Sequence, residues 1–133
     1  MVPDHLDEKT VLFACFISGK MPSVNHYLKK GRHGFYKDNA QKDIEQSIFM
    51  QLKFHLSGRK FDTSKQYRID MFFHGKFFNK NNTITRVDVD NKSKVALDVF
   101  MKATGIPDEN FFTVVLKKVH SDKEGVTYQL SEA

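Results

Sequence analysis

Residues 86–105 read RVDVDNKSKVALDVFMKATG, and this stretch decides how the chain is built. Asp90 or Asn91 suits a helix N-cap. Val95, Leu97, Val99 and Phe100 supply an inward side, and Gly105 stands where a helix C′ glycine belongs. The spacing predicts a helix to about Thr104. Before it, Arg86 to Asp90 has an extended, β-type pattern; after it, Pro107-Asp108-Glu109 makes a turn.

Strand patterns flank this unit. Upstream, Tyr67 to Phe73 alternates, placing Tyr67, Ile69, Met71 and Phe73 on one face. Asn79 to Thr85 is a polar excursion. Downstream, Phe111 to His120 and Val126 to Leu130 read as strands joined by a Ser121–Gly125 loop. Nearer the N-terminus, Ala40, Ile44, Ile48 and Leu52 recur every four residues, with Phe49 and Leu56 widening the stripe. They predict an amphipathic helix over 38–56, with Asp38 as its cap. Thr10 to Ser18 is apolar on both alternating faces, as expected of a strand covered on both sides. The order β-α-β-(β)-α-β-β implies one α+β domain over 10–133, with a mixed sheet and two main helices. Residues 1–9 form a loose arm.

Composition narrows the partners. The chain has 133 residues, within the usual single-domain size of about 100–150. Its formal charge of +5 favours a polyanionic partner. The single Cys15 excludes an internal disulfide framework and a Cys-rich zinc module. The longest apolar run, Val11 to Ile17, is far too short to span a membrane. Absence of a secretory pattern gives a cytoplasmic expectation. The charge is concentrated: Gly19 to Lys37 reads as a loop with Lys20, Lys29, Lys30, Arg32 and Lys37 and no acid, interleaved with Tyr27, Phe35 and Tyr36. Such a loop suits phosphate contacts and base stacking. Arg86 flanks the acidic segment and is a further candidate contact.

The chemistry concentrates at Asp88 and Asp90. Two residues apart on an extended segment share a face, and paired carboxylates repel unless a cation lies between them. A hard ion such as Mg²⁺ binds a few carboxylates together with water and phosphate oxygens. Lys94 follows one helical turn later, where its ammonium can meet a docked phosphate. A plainer reading uses the same residues: an N-cap with a solvated neighbour, and Lys94 paired with Asp90 or Asp98. A calcium-binding EF-hand loop starting at Asp88 fails, because its glycine position holds Ser93 and its final glutamate position Val99. The six histidines form no metal-ligand spacing and suit surface or packing roles.

The set Asp88-x-Asp90-Asn91-x-x-Lys94, Asp98 on the same helix, and Gly105-Ile-x-Asp108-Glu109 resembles the RusA-type Holliday-junction endonucleases. Met21-Pro22-Ser23-x-Asn25-x-Tyr27 is similar to that family's loop after the first strand. The resemblance covers about Thr10 to Leu130. It implies that Asp88, Asp90 and Glu109 bind Mg²⁺, with Mn²⁺ as an alternative ion, and that Lys94 is catalytic. Glu109 stands where the family usually has Asp, one methylene shorter, so Asp108 is the substitute ligand. The resemblance further implies Asn25 among the DNA contacts, branched DNA as partner, and a homodimer making paired nicks. The approximate two-fold symmetry of a four-way junction agrees with a dimer of one-site domains. Competing readings are a less selective flap or fork nuclease and a non-catalytic junction-binding protein.

Overall fold

The computed structural model describes residues 10–21, 28–31, 34–37, 39–87 and 89–133, with backbone alone for 28–31, 34–37, 39 and 40. The expected arm at 1–9 and the cap at Asp38 lie outside the described residues. In chain order the elements are β1 Val11–Ser18, β2 Leu28–Gly31, β3 Gly34–Lys37, α1 Asn39–Leu56, β4 Tyr67–Gly75, α2 Val89–Thr104, a 3-10 turn Asp108–Asn110, β5 Phe111–His120 and β6 Gly125–Glu132. Four strands form one mixed sheet in the order β1-β6-β4-β5. β6 runs antiparallel to both β1 and β4, and β4 is parallel to β5.

Alternation along β1, β4 and β6 builds the core. Register aligns Ile17 with Val126 and Phe73, Cys15 with Tyr128 and Met71, and Phe13 with Leu130 and Ile69. All nine of these side chains are buried, together with Ile48, Leu52 and Leu56 of α1 and Val95, Ala96, Val99, Phe100 and Ala103 of α2. Both helices contribute to this single core. Two expectations about the N-terminal third of the chain need correction. β1 is an edge strand covered on one side: Ala14 on its other face is exposed, and Leu12 and Phe16 are half-buried. The segment 19–37, read as a loop, contains a hairpin in which β2 pairs with β3, Lys29 opposite Tyr36 and Lys30 opposite Phe35.

The connection from β4 to β5 through α2 places the site. Parallel neighbours need a crossover, and α2 supplies it, starting beyond Gly75 and ending before Phe111. Tyr128 locks it from below: its buried hydroxyl donates to the Ala96 carbonyl at 2.7 Å, and its ring stacks on Phe100 with centroids 4.8 Å apart. α2 begins at Val89, so Asp90 lies in its first turn rather than at an extended cap, and the strand pattern read at 86–90 yields no strand among the described residues. The other end matches expectation. Gly105 has φ +79, the left-handed conformation natural to glycine, and its N–H donates to the Met101 carbonyl at 2.8 Å.

The 3-10 turn that follows is anchored by Asn110. This buried amide donates to the carbonyls of Thr63 and Lys65 at 2.6 and 2.8 Å, tying the turn to the segment entering β4. Asn110→Ala should therefore lower unfolding free energy in urea by about 1–3 kcal/mol, since two carbonyls lose their donor; a change below about 0.5 kcal/mol would refute the anchor. The core also confers alkaline sensitivity. Burial pushes the Cys15 thiol up to about 11 from 9.0, and burial raises the Tyr128 phenol as well. Above pH 9 the unfolded chain binds fewer protons than the folded one, so stability falls through the window from pH 9 to 11, by up to about 3 kcal/mol for the thiol. Cys15→Ala should be less stable at pH 7 yet lose less between pH 8 and 10.5; parallel urea midpoints for both proteins would contradict this.

Candidate active site

The N-terminal end of α2 lies over the sheet end formed by Ser18, Gly75, His120 and Gly125. Register places Ser18 against Gly125, and Gly75 against His120. Lys92 lines a cleft there with Gly19, Met21, His74, Lys76 and Glu124, among others. Its volume, about 60 Å³, is well below the roughly 300–1,000 Å³ of small-molecule pockets. An extended partner lying across the surface fits this end better than an enclosed small ligand.

Within the first turns of α2, Asp90 and Lys94 are exposed and Lys92 is half-buried. The Ser93 hydroxyl donates to the Asp90 carbonyl at 2.7 Å, closing the turn locally. A carboxylate in a helix's first turn also faces the positive end of the backbone dipole. Asp98 is taken by Lys102 at 3.1 Å, and Lys102 also reaches Glu45 of α1 at 3.4 Å. Lys94, by contrast, makes no ion pair among the described residues. The plainer reading, in which Lys94 pairs with Asp90 or Asp98, is thus not what the structure adopts.

The surroundings are basic. Lys20, Lys76, Lys80, Arg86, Lys117, Lys118 and Lys123 are all exposed. Lys117 lies over the Phe72 ring and Lys118 over the Phe77 ring, each at 5.4 Å, so both ammoniums are held near this end of the sheet. The hairpin brings the backbones of Lys29, Lys30 and Lys37 into two paired strands; Asn25, Arg32 and Tyr27 lie outside the described residues. Two histidines pack as expected: His74 shares a hydrogen bond of 2.8 Å with the Thr127 hydroxyl, and His120 Nδ1 accepts from the Phe77 N–H at 3.0 Å.

The acidic residues do not all meet. Asp88 lies outside the described residues, although chain connectivity keeps its Cα within about 7.6 Å of that of Asp90. Asp108 and Glu109 are exposed in the 3-10 turn beyond the opposite end of α2, beside the start of β4. The helix from Asp90 to Thr104 alone spans about 21 Å, at about 1.5 Å per residue. Accordingly, no three of His, Cys, Asp and Glu converge among the described residues. The donor chemistry at the start of α2 fits a divalent ion such as Mg²⁺, which takes one or two carboxylates and fills its remaining positions with water and phosphate oxygens. Among the described residues Glu109 shares no such cluster with Asp90. Sequence reading passed over Lys92, whose burial depends on distant loops, and Asn110, whose anchoring partners lie some 45 residues upstream.

Among the described residues no helix is long and apolar enough to cross a membrane. No curated protein matches the chain significantly. The family profile for endodeoxyribonuclease RusA matches residues 19–130, which takes in the hairpin, both helices and the sheet from β4 to β6. With that span matched, the chain belongs to the RusA family of endodeoxyribonucleases, the Holliday-junction-resolving nucleases.

Proposed function

We propose that this chain resolves four-way DNA junctions as a homodimer, using Mg²⁺ or Mn²⁺ and making paired symmetric nicks. The observation that carries the reading is Lys94, an exposed cation with no ion-pair partner among the described residues, one helical turn from Asp90 on the basic end of the sheet. A protein that only bound DNA would gain nothing from carboxylates presented to phosphate, so Asp88 and Asp90 speak for chemistry.

Asp88 and Asp90 would hold the ion. When bound, a divalent metal polarises a phosphodiester oxygen and makes its water a stronger nucleophile. The protein's own part is positioning and charge. Lys94 holds the scissile phosphate and stabilises the added negative charge of the pentavalent transition state without needing to reorganise. Lys20, Lys76 and Arg86 hold flanking phosphates, and the β2–β3 hairpin, with Lys29, Lys30 and Lys37, extends the clamp along a junction arm. Asn25 and Arg32 complete the same segment.

Purified protein incubated with a synthetic four-way junction, a fork or a linear duplex tests this directly. Symmetric nicks on the junction, present with Mg²⁺ or Mn²⁺ and absent with EDTA, are expected. Lys94→Ala should reduce nicking about 100–1,000-fold while the gel shift of the junction persists. Asp90→Asn should abolish nicking and likewise retain the shift. Cutting of all three substrates would favour a less selective nuclease, and a shift without cutting would favour a binding protein.

A further inference from the structure

The face of the sheet turned away from the helices carries aromatic rings and lysines that the nuclease reading leaves unused. We propose that this outer face binds single-stranded DNA, with Phe16 and Phe72 as stacking surfaces for unpaired bases and Lys123 and Lys117 as their phosphate contacts. The proposal does not depend on metal chemistry at the start of α2.

Alternation puts these residues there. Ile17, Val126 and Phe73 point into the core, so their chain neighbours Phe16, Thr127 and Phe72 point the other way. Register sets Phe16, Thr127, Phe72 and Lys117 in one row across β1, β6, β4 and β5. Both rings are half-buried and lie outside the core cluster. The Phe16 ring is fixed from the side and from below. His74 meets it edge-on, with centroids 5.3 Å apart, and is itself held by the Thr127 hydroxyl at 2.8 Å. A Cβ at position 125 would run into the Phe16 ring, so Gly125 leaves the room that the ring fills.

Each ring has an ammonium beside it. The Lys123 Nζ lies 5.8 Å from the Phe16 centroid, and the Lys117 Nζ lies 5.4 Å from that of Phe72. A ring paired with a cation matches what one nucleotide offers, a flat base and a phosphate. β6 separates the two pairs, which puts the rings roughly 9–10 Å apart at about 4.8 Å per strand. One base cannot fill that gap, so each ring takes its own. A duplex hides its base faces in the stack, and only an unpaired strand presents them. The charge agrees: at this end exposed Lys76, Lys117, Lys118 and Lys123 outnumber exposed Asp122 and Glu124. His74 also lines the cleft that holds Lys92, so the aromatic row is continuous with the end of the sheet under α2.

The chain contains no tryptophan, so Phe72→Trp introduces a single fluorescent reporter while keeping an aromatic ring in the row. The full-length variant is titrated in EDTA with a short oligothymidine, with the same strand paired to oligoadenine, and with an abasic strand of equal length. Saturable quenching by oligothymidine is expected, and no quenching by the duplex or the abasic strand. Anisotropy of labelled oligothymidine supplies the affinities. Phe16→Ala and Phe72→Ala should each weaken binding roughly 5- to 100-fold and leave its salt dependence unchanged, whereas Phe16→Tyr and Phe72→Tyr retain it. The double variant Lys117→Ala/Lys123→Ala should instead lower the slope of log affinity against log salt by about 1.4, at about 0.7 per phosphate contact.

Oligothymidine that binds without quenching the reporter lies elsewhere on the protein and overturns the proposal. Quenching by the duplex as strong as by the single strand overturns it too, since the face then takes paired DNA. Absence of oligothymidine binding to the wild-type protein has the same consequence. None of these results bears on the nuclease reading, which nicking of the four-way junction decides separately.

Discussion

The contact of Phe100 and Tyr128 through stacked rings, reinforced by the phenol's hydrogen bond to Ala96, is what the rest of the molecule depends on. It seats α2 across the middle of the sheet, over the row that joins Cys15, Tyr128 and Met71. A buried hydroxyl without a partner is costly, so the phenol accepts only helix positions that bring a carbonyl within reach. Once the middle of a rigid rod is set, both ends are set. One end presents Asp90 and Lys94 at the basic end of the sheet, and the other delivers the chain into the turn held by Asn110.

The buried residues of α2 and its exposed charged ones thus occupy different sides of one helix. Its inward residues Val95, Ala96, Val99, Phe100 and Ala103 are buried, whereas Asp90 and Lys94, the residues proposed to carry the chemistry, are exposed. Changes at Asp90 or Lys94 should be read in activity and metal binding, and changes at Phe100 or Val99 in stability. The neighbouring pair Asp98–Lys102 belongs to neither group: it braces α2 against Glu45 of α1.

Much of the fold was legible because hydrophobic periodicity maps directly onto burial. Tyr67, Ile69, Met71 and Phe73 alternate in sequence and are all buried, and Gly105 ends α2 with the backbone angle that its position foretells. The β2–β3 hairpin was not legible. Its strands are four residues long and rich in Gly and Lys, and lack the alternating apolar pattern by which strands are recognised. Residues 86–90 misled for the opposite reason: Val87 and Val89 alternate with acids as a strand would, yet Val89 already belongs to the helix. Of the candidate site, the placement of Asp90 and Lys94 one turn apart on α2 was legible from local spacing, whereas the placement of Glu109 beyond the far end of α2 was not, because spacing within a motif does not carry across a sixteen-residue helix.

Anomalous diffraction from crystals of the wild-type protein grown with Mn²⁺ locates the metal directly. An ion bound by Asp88 and Asp90, within reach of Lys94, is the expected result. An ion bound elsewhere, with none at the start of α2, would contradict the placement of the chemistry there.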